Sequence, residues 1–153
     1  MKRLLVLLLS ISSALVATVS FAQSEQFAVR SDAEKMVKSA VAEIKKNKAG
    51  VLAEINGGAA KWKDRDLYLQ AFTLEGVVLA HGTNPNFVGR GMLALKDPTG
   101  RPFVAEQVEM GKKQQSFWAE YSYTDPVSKK VLPKETYCEK VEDFLVCGGI
   151  YKR

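Results

Sequence analysis

A chain of 153 residues with one histidine and two cysteines has few ways of doing chemistry. His81 carries the one side chain that titrates near neutrality when unperturbed, and it stands just before a stretch rich in Gly, Asn and Pro at 82–90. An imidazole there can hydrogen-bond an anionic ligand or serve only as a cap for the loop; the sequence leaves both roles open. A zinc site needs three or four ligands, and one histidine with two cysteines that are themselves expected to pair does not supply them. No Gly-x-Ser-x-Gly elbow accompanies the histidine, and no glycine-rich phosphate loop or cofactor motif occurs. Glu139 with Glu142 or Asp143 makes the nearest carboxylate pair, but it sits around a tight turn where water is the neighbour. With the constellations of catalysis missing, the expectation is not an enzyme.

The cysteines are placed by the strands that carry them. Residues 132–141 and 144–151 are β-like runs separated only by Glu142-Asp143, which forces a tight hairpin. With those two residues at the centre of the turn, Cys138 faces Cys147, Glu139 faces Val146 and Tyr137 faces Gly148. In an oxidising compartment this arrangement predicts a cross-strand disulfide, contributing about 2–3 kcal/mol for so short a loop. The alternative, a redox-active pair, lacks the Cys-x-x-Cys spacing that activates a thiol.

An oxidising compartment is implied by the first residues. Lys2 and Arg3 precede an apolar run over 4–19, and Ser20-Phe21-Ala22 has the small residues of a cleavage site. The run is about as short as a membrane span can be and is interrupted by Ser10, Ser12 and Ser13, so a cleaved signal peptide over 1–22 fits it better than an anchor. Downstream there is no second apolar run of spanning length, and the mature chain, 23–153, has room for one domain. The formal net charge is +5, two of those cations belong to the leader, and the rest are dispersed. Nucleic-acid binding wants a denser basic face. The expected location is the periplasm, as a free domain.

Helix-spaced apolar residues, Ala33, Met36, Val37, Ala40, Val41, Ile44, Val51, Leu52 and Ile55, predict a long helix over 31–56. Ser31-Asp32-Ala33-Glu34 has capping-box spacing at its start, and Gly57-Gly58 ends it. Asn47, Lys48 and Gly50 interrupt the stripe, which predicts a kink. Residues 67–72 and 77–81 then form a hairpin, Pro102 opens a short helix to about residue 113, and 117–123 is a third strand. The expected fold is α+β: a five-stranded antiparallel sheet backed by the long helix, with a short helix between the second and third strands.

That element order is PAS-like, and residues 66–151 resemble a single Cache domain of the second type. The likeness rests on Leu79-Ala80-His81, Thr83-Asn84-Pro85, Val88-Gly89-Arg90, Lys96-Asp97 with Gly100, Phe117-Trp118-Ala119-Glu120-Tyr121, Lys134 with Tyr137, and Gly148-Gly149-Ile150-Tyr151, in that order. The resemblance implies an extracytoplasmic sensor that encloses a small organic ligand, often a short carboxylate, between the sheet and its loops. Such domains are mostly joined through a transmembrane helix to an output domain; the sequence here ends at Arg153 without one, so the expected module reports to a separate partner. The alternative is a structural or interaction subunit with a filled pocket that docks onto a membrane receptor or redox protein.

Candidate ligand contacts follow from residue chemistry. Arg90 offers a planar fork and Lys134 a point charge for a carboxylate. On the third strand Phe117, Tyr121 and Tyr123 share one face while Trp118 points to the other; each aromatic is a candidate for the core or for the ligand. Tyr137 lies opposite Gly148, where a missing side chain leaves room for its ring or for a ligand.

Overall fold

The computed structural model describes residues 26–153; the expected leader, 1–22, lies outside them. Helix α1 runs Arg30–Asn56 and buries Val37, Ala40, Val41, Ile44, Val51 and Ile55, the stripe that its spacing predicts. It breaks at Asn47, whose backbone leaves helical geometry (φ −150°, ψ 76°). The Asn47 side-chain oxygen accepts from the Gly50 amide at 3.0 Å and so caps the second half of the helix.

The start of α1 differs from the expected capping box. Val29 is the capping residue, and Asp32, not Glu34, reaches back to accept from the cap amide at 3.1 Å. Contacts from distant residues choose this start: the Ala28 amide donates to Asp66 at 2.8 Å, and Arg65 grips the Phe27 carbonyl at 2.8 Å and Asp32 at 2.5 Å. Glu34 is free to pair with Lys38 instead.

Six strands form one antiparallel sheet: β1 Lys63–Asp64, β2 Leu67–Thr73, β3 Val78–His81, β4 Ser116–Thr124, β5 Val131–Val141 and β6 Phe144–Tyr151. Helix α2, Phe103–Lys113, joins β3 to β4 across a long loop. The two-residue β1 is the addition to the five expected strands; it pairs with one end of β2 while β3 pairs with the other. Beyond β2 the order is β6, β5, β4, so the last strand is central and wholly buried. The expected hairpin register holds: Cys138 faces Cys147, Glu139 faces Val146, and Tyr137 faces Gly148. The two cysteines are joined in a disulfide. Glu142 takes the left-handed conformation (φ 54°) that the two-residue turn demands.

Each face of the sheet has its own cover. Leu69, Ala71, Tyr137 and Val146 pack under α1. On the opposite face Phe72, Phe117, Tyr121, Leu145 and both cysteines pack under α2. Period-2 alternation sorts every strand residue to one layer or the other.

Candidate functional site

The α2 face of the sheet carries a buried lysine. Lys134 on β5 is 2 % exposed, and its Nζ donates to the Tyr68 hydroxyl at 2.9 Å. Four tyrosine rings surround the ammonium, with Nζ 4.0 Å from the centroid of Tyr68, 4.9 Å from Tyr151, 5.8 Å from Tyr123 and 6.0 Å from Tyr121. The lysine can lie flat on the sheet because residue 149 on the neighbouring strand is glycine: a Cβ there would occupy the place of Lys134 Cε. No carboxylate pairs with Nζ among the described residues. Burial lowers the pKa of Lys134 to about 7, and the charges of Asp66 and Asp125 oppose the fall.

Those two aspartates are occupied elsewhere. Arg153 bridges them, at 2.8 Å to Asp66 and 2.9 Å to Asp125, with both carboxylates fully buried. Burial works to raise the pKa of Asp125, but hydrogen bonds from Ser128 and Val127 and the Arg153 guanidinium prevail and hold it at about 2.

His81 ends β3 beside this cage, its ring 5.3 Å from Tyr68 and 5.2 Å from Phe87. Nδ1 accepts from the amides of Thr83 (3.3 Å) and Asn84 (3.1 Å), so the neutral ring carries its proton on Nε2. Burial, and then the charge of Lys134, lower its pKa to about 4 and keep the ring neutral. One nitrogen therefore caps the loop while the other offers a donor. The two roles that the sequence leaves open are compatible in one side chain. From the other layer Asn56, the last residue of α1, clasps the same strand: its side chain accepts from the His81 amide at 3.0 Å and donates to the Leu79 carbonyl at 3.2 Å.

Two spaces meet at His81; Lys134 lines neither and instead borders a third, open cleft of about 210 Å³ with Tyr121, Asp97, Arg101 and Lys152. A small cavity of about 30 Å³ is lined by Gln70, Phe72, Phe103, Tyr121 and neighbouring apolar side chains. An open cleft of about 210 Å³ is lined by Tyr68, Thr83, Asn84, Asp125 and Lys129. His81, Phe87 and Tyr123 border both and form the wall between them. The loop over the cavity is fastened by Asp97, which accepts from the amides of Thr99, Arg101 and Ser122 and from the Thr99 hydroxyl. These bonds, led by that of the hydroxyl, lower its pKa to about 2.

Of the residues nominated from sequence, His81, Tyr121, Tyr123 and Lys134 come together. Trp118 and Tyr137 do not: they lie on the α1 face, 5.5 Å apart, under the helix. The space above Gly148 is taken by Val37 and Leu69, each 3.1 Å from where a Cβ would sit, so that glycine admits the helix and not a ligand. Arg90 is exposed on the loop and lines neither space. Tyr68, Tyr151, Gln70, Asp66 and Asp125 join them although no motif singles these residues out. The signal lay in the strand β2 register, where Tyr68, Gln70 and Phe72 alternate onto one face, but only pairing with β6 shows which face that is. Among the described residues no group of His, Cys, Asp and Glu could hold a metal ion.

A family model described as Single Cache domain 2 matches residues 9–151. The chain belongs to that family. Solved structures share the fold. A methyl-accepting chemotaxis protein from Vibrio parahaemolyticus is 21 % identical, with 79 % of this chain and 86 % of that one covered and a TM-score of 0.68. A Cache chemosensory domain studied for carboxylic acid recognition is 19 % identical, with coverage of 80 % and 92 % and a TM-score of 0.68. The periplasmic sensor domain of a chemotaxis protein is 21 % identical, with coverage of 80 % and 90 % and a TM-score of 0.64. A search of curated proteins gives no match. Among the described residues of this Cache domain no helix is long and apolar enough to cross a membrane.

Proposed function

We propose that this Cache domain is a periplasmic sensor module that binds a short organic carboxylate and reports to a separate partner protein. The observation that carries the reading is the Lys134 ammonium, buried without a carboxylate partner among the described residues and sharing the Tyr68 ring with His81. A buried cation without a counter-ion is costly, and an anionic ligand supplies the missing charge. The Tyr68 hydroxyl, which accepts from Nζ, adds a donor, and the apolar walls of the small cavity suit a short carbon chain.

Thermal denaturation of the mature protein with millimolar acetate, propionate, amino acids and amines tests this. A rise in Tm with carboxylates and none with amines is expected; no rise with any acid overturns it. In Lys134→Met the rise is expected to vanish. Export is tested separately by the mass of the protein recovered from the periplasm, which is expected to begin after Ala22.

A second reading has its own support. A volume of about 30 Å³ accommodates one or two waters rather than an acid, as expected of an interaction subunit whose pocket is filled by side chains. Ligand binding requires the wall of His81, Phe87 and Tyr123 to give way and join the cavity to the cleft. The same titration separates the two: a filled pocket gives no shift with any small molecule.

A further inference from the structure

Gln107 on α2 is 1 % exposed, and neither polar atom of its buried side chain has a partner at hydrogen-bond distance among the described residues. A primary amide left unsatisfied in an apolar layer is destabilising, so its presence asks for a partner that arrives later. It lies one helical turn beyond Phe103 and Val104, which line the small cavity, and shares their sheet-facing side of α2. Phe103 stacks on Tyr121 with ring centroids 4.2 Å apart. Gln70 faces the cavity from β2 on the opposite wall, with its side-chain amide directed at the Tyr121 hydroxyl. Between them stands the Tyr121 hydroxyl, which takes a bond from Thr136 at 3.3 Å and feels both glutamine amides. A second polar pole is thus formed by Gln70 and Tyr121, which line the cavity, and by Gln107 next to the Tyr121 hydroxyl, with Lys134 across the Tyr121 ring. The charged groups Lys134, Asp66, Asp125 and Arg153 are all gathered at the other pole.

We infer that the ligand of this Cache domain is a bifunctional acid, whose carboxylate goes to the Lys134 pole and whose neutral hydroxyl or amide group is read by the Gln107 and Gln70 side chains. This rests on the reading of the site as a carboxylate pocket and adds the discrimination among acids. An amide pole offers a neutral polar group both donors and acceptors, whereas a methyl group in the same place leaves two buried amides unpaired. A second carboxylate is disfavoured, since no cation stands at this pole.

The test compares matched pairs, propionate with lactate and butyrate with 3-hydroxybutyrate, by Tm shift and by calorimetric titration on the mature protein. At least one hydroxy acid is expected to bind about tenfold more tightly than its parent acid, the scale of satisfying one buried polar group. In Gln107→Leu that advantage is expected to disappear while the parent acid binds as before, and the unliganded variant is expected to melt at or above the wild-type temperature because an orphaned amide has been removed. Gln70→Leu, on the opposite wall, is expected to lose the same advantage if the two amides act together. Equal binding of parent and hydroxy acids, or an advantage that survives in both variants, overturns the inference and leaves the carboxylate pocket standing. No binding by any of the four acids removes both.

Discussion

A lysine whose pKa is about 7 in the folded protein, against 10.5 in the open chain, makes stability depend on pH with a definite sign. Below about pH 7 both states hold the proton and the cost of burying the charge is fully present. Between 7 and 10.5 the unfolded chain binds the extra proton, so folding becomes more favourable as pH rises. His81 acts likewise at lower pH, with stability rising between about 4 and 6.5. The buried tyrosines, whose pKa values are raised by burial, reverse the trend above their unfolded value near 10. Scanning calorimetry of the unliganded protein is therefore expected to show Tm rising from pH 7 to 9, a rise that Lys134→Met removes. At pH 7 that variant is expected to be the more stable protein, by on the order of 1–4 kcal/mol, as when buried charges give way to apolar groups. Carboxylate binding follows the opposite course. It requires the ammonium form, so affinity is expected to fall over the same interval, and a titration in which it rises instead would place the anion elsewhere.

At the scale of elements, adjacent glycines on β6 do unlike work because they face opposite layers. Gly148→Ala pushes a methyl against Val37 and Leu69 and is expected to cost about 1–3 kcal/mol in denaturant unfolding, the usual scale of overpacking, with carboxylate response retained. Gly149→Ala displaces the Lys134 stem and is expected to weaken the carboxylate response well beyond its effect on Tm. Reduction of the Cys138–Cys147 bridge is expected to cost about 2–3 kcal/mol while the hairpin keeps its register, since Val141 and Phe144 still close the turn. That register was legible in the sequence because a two-residue turn leaves no freedom in the pairing. So were the helix stripe and its break at Asn47, both local patterns. The pairing of β2 with β6 joins residues far apart in the chain, and no local pattern announces it. Without it, nothing ranks Lys134 above Tyr137, although the two side chains point to opposite layers.

Across the whole molecule, Arg153 gathers the two ends of the described residues. Its guanidinium lies 3.5 Å from the centroid of Phe27 and holds Asp66, which also takes the Ala28 amide, together with Asp125 from the loop beside the open cleft. Arg153→Met leaves two buried carboxylates facing one another and is expected to cost about 3–5 kcal/mol, read from denaturant midpoints; a change within experimental error would mean that water replaces the guanidinium. None of this was visible in a sequence where Arg153 is one cation among many. Helix α1 is fixed at both extremities, through Asp32 and Arg65 at its beginning and through Asn56 on the His81 strand at its end. Mechanically it is a rod held by two pins, with a joint at Asn47 between them. Any displacement of the His81 backbone must either break the two Asn56 bonds or carry the short rear segment of the rod along, and the joint lets that segment swing while the longer front segment stays seated on the sheet.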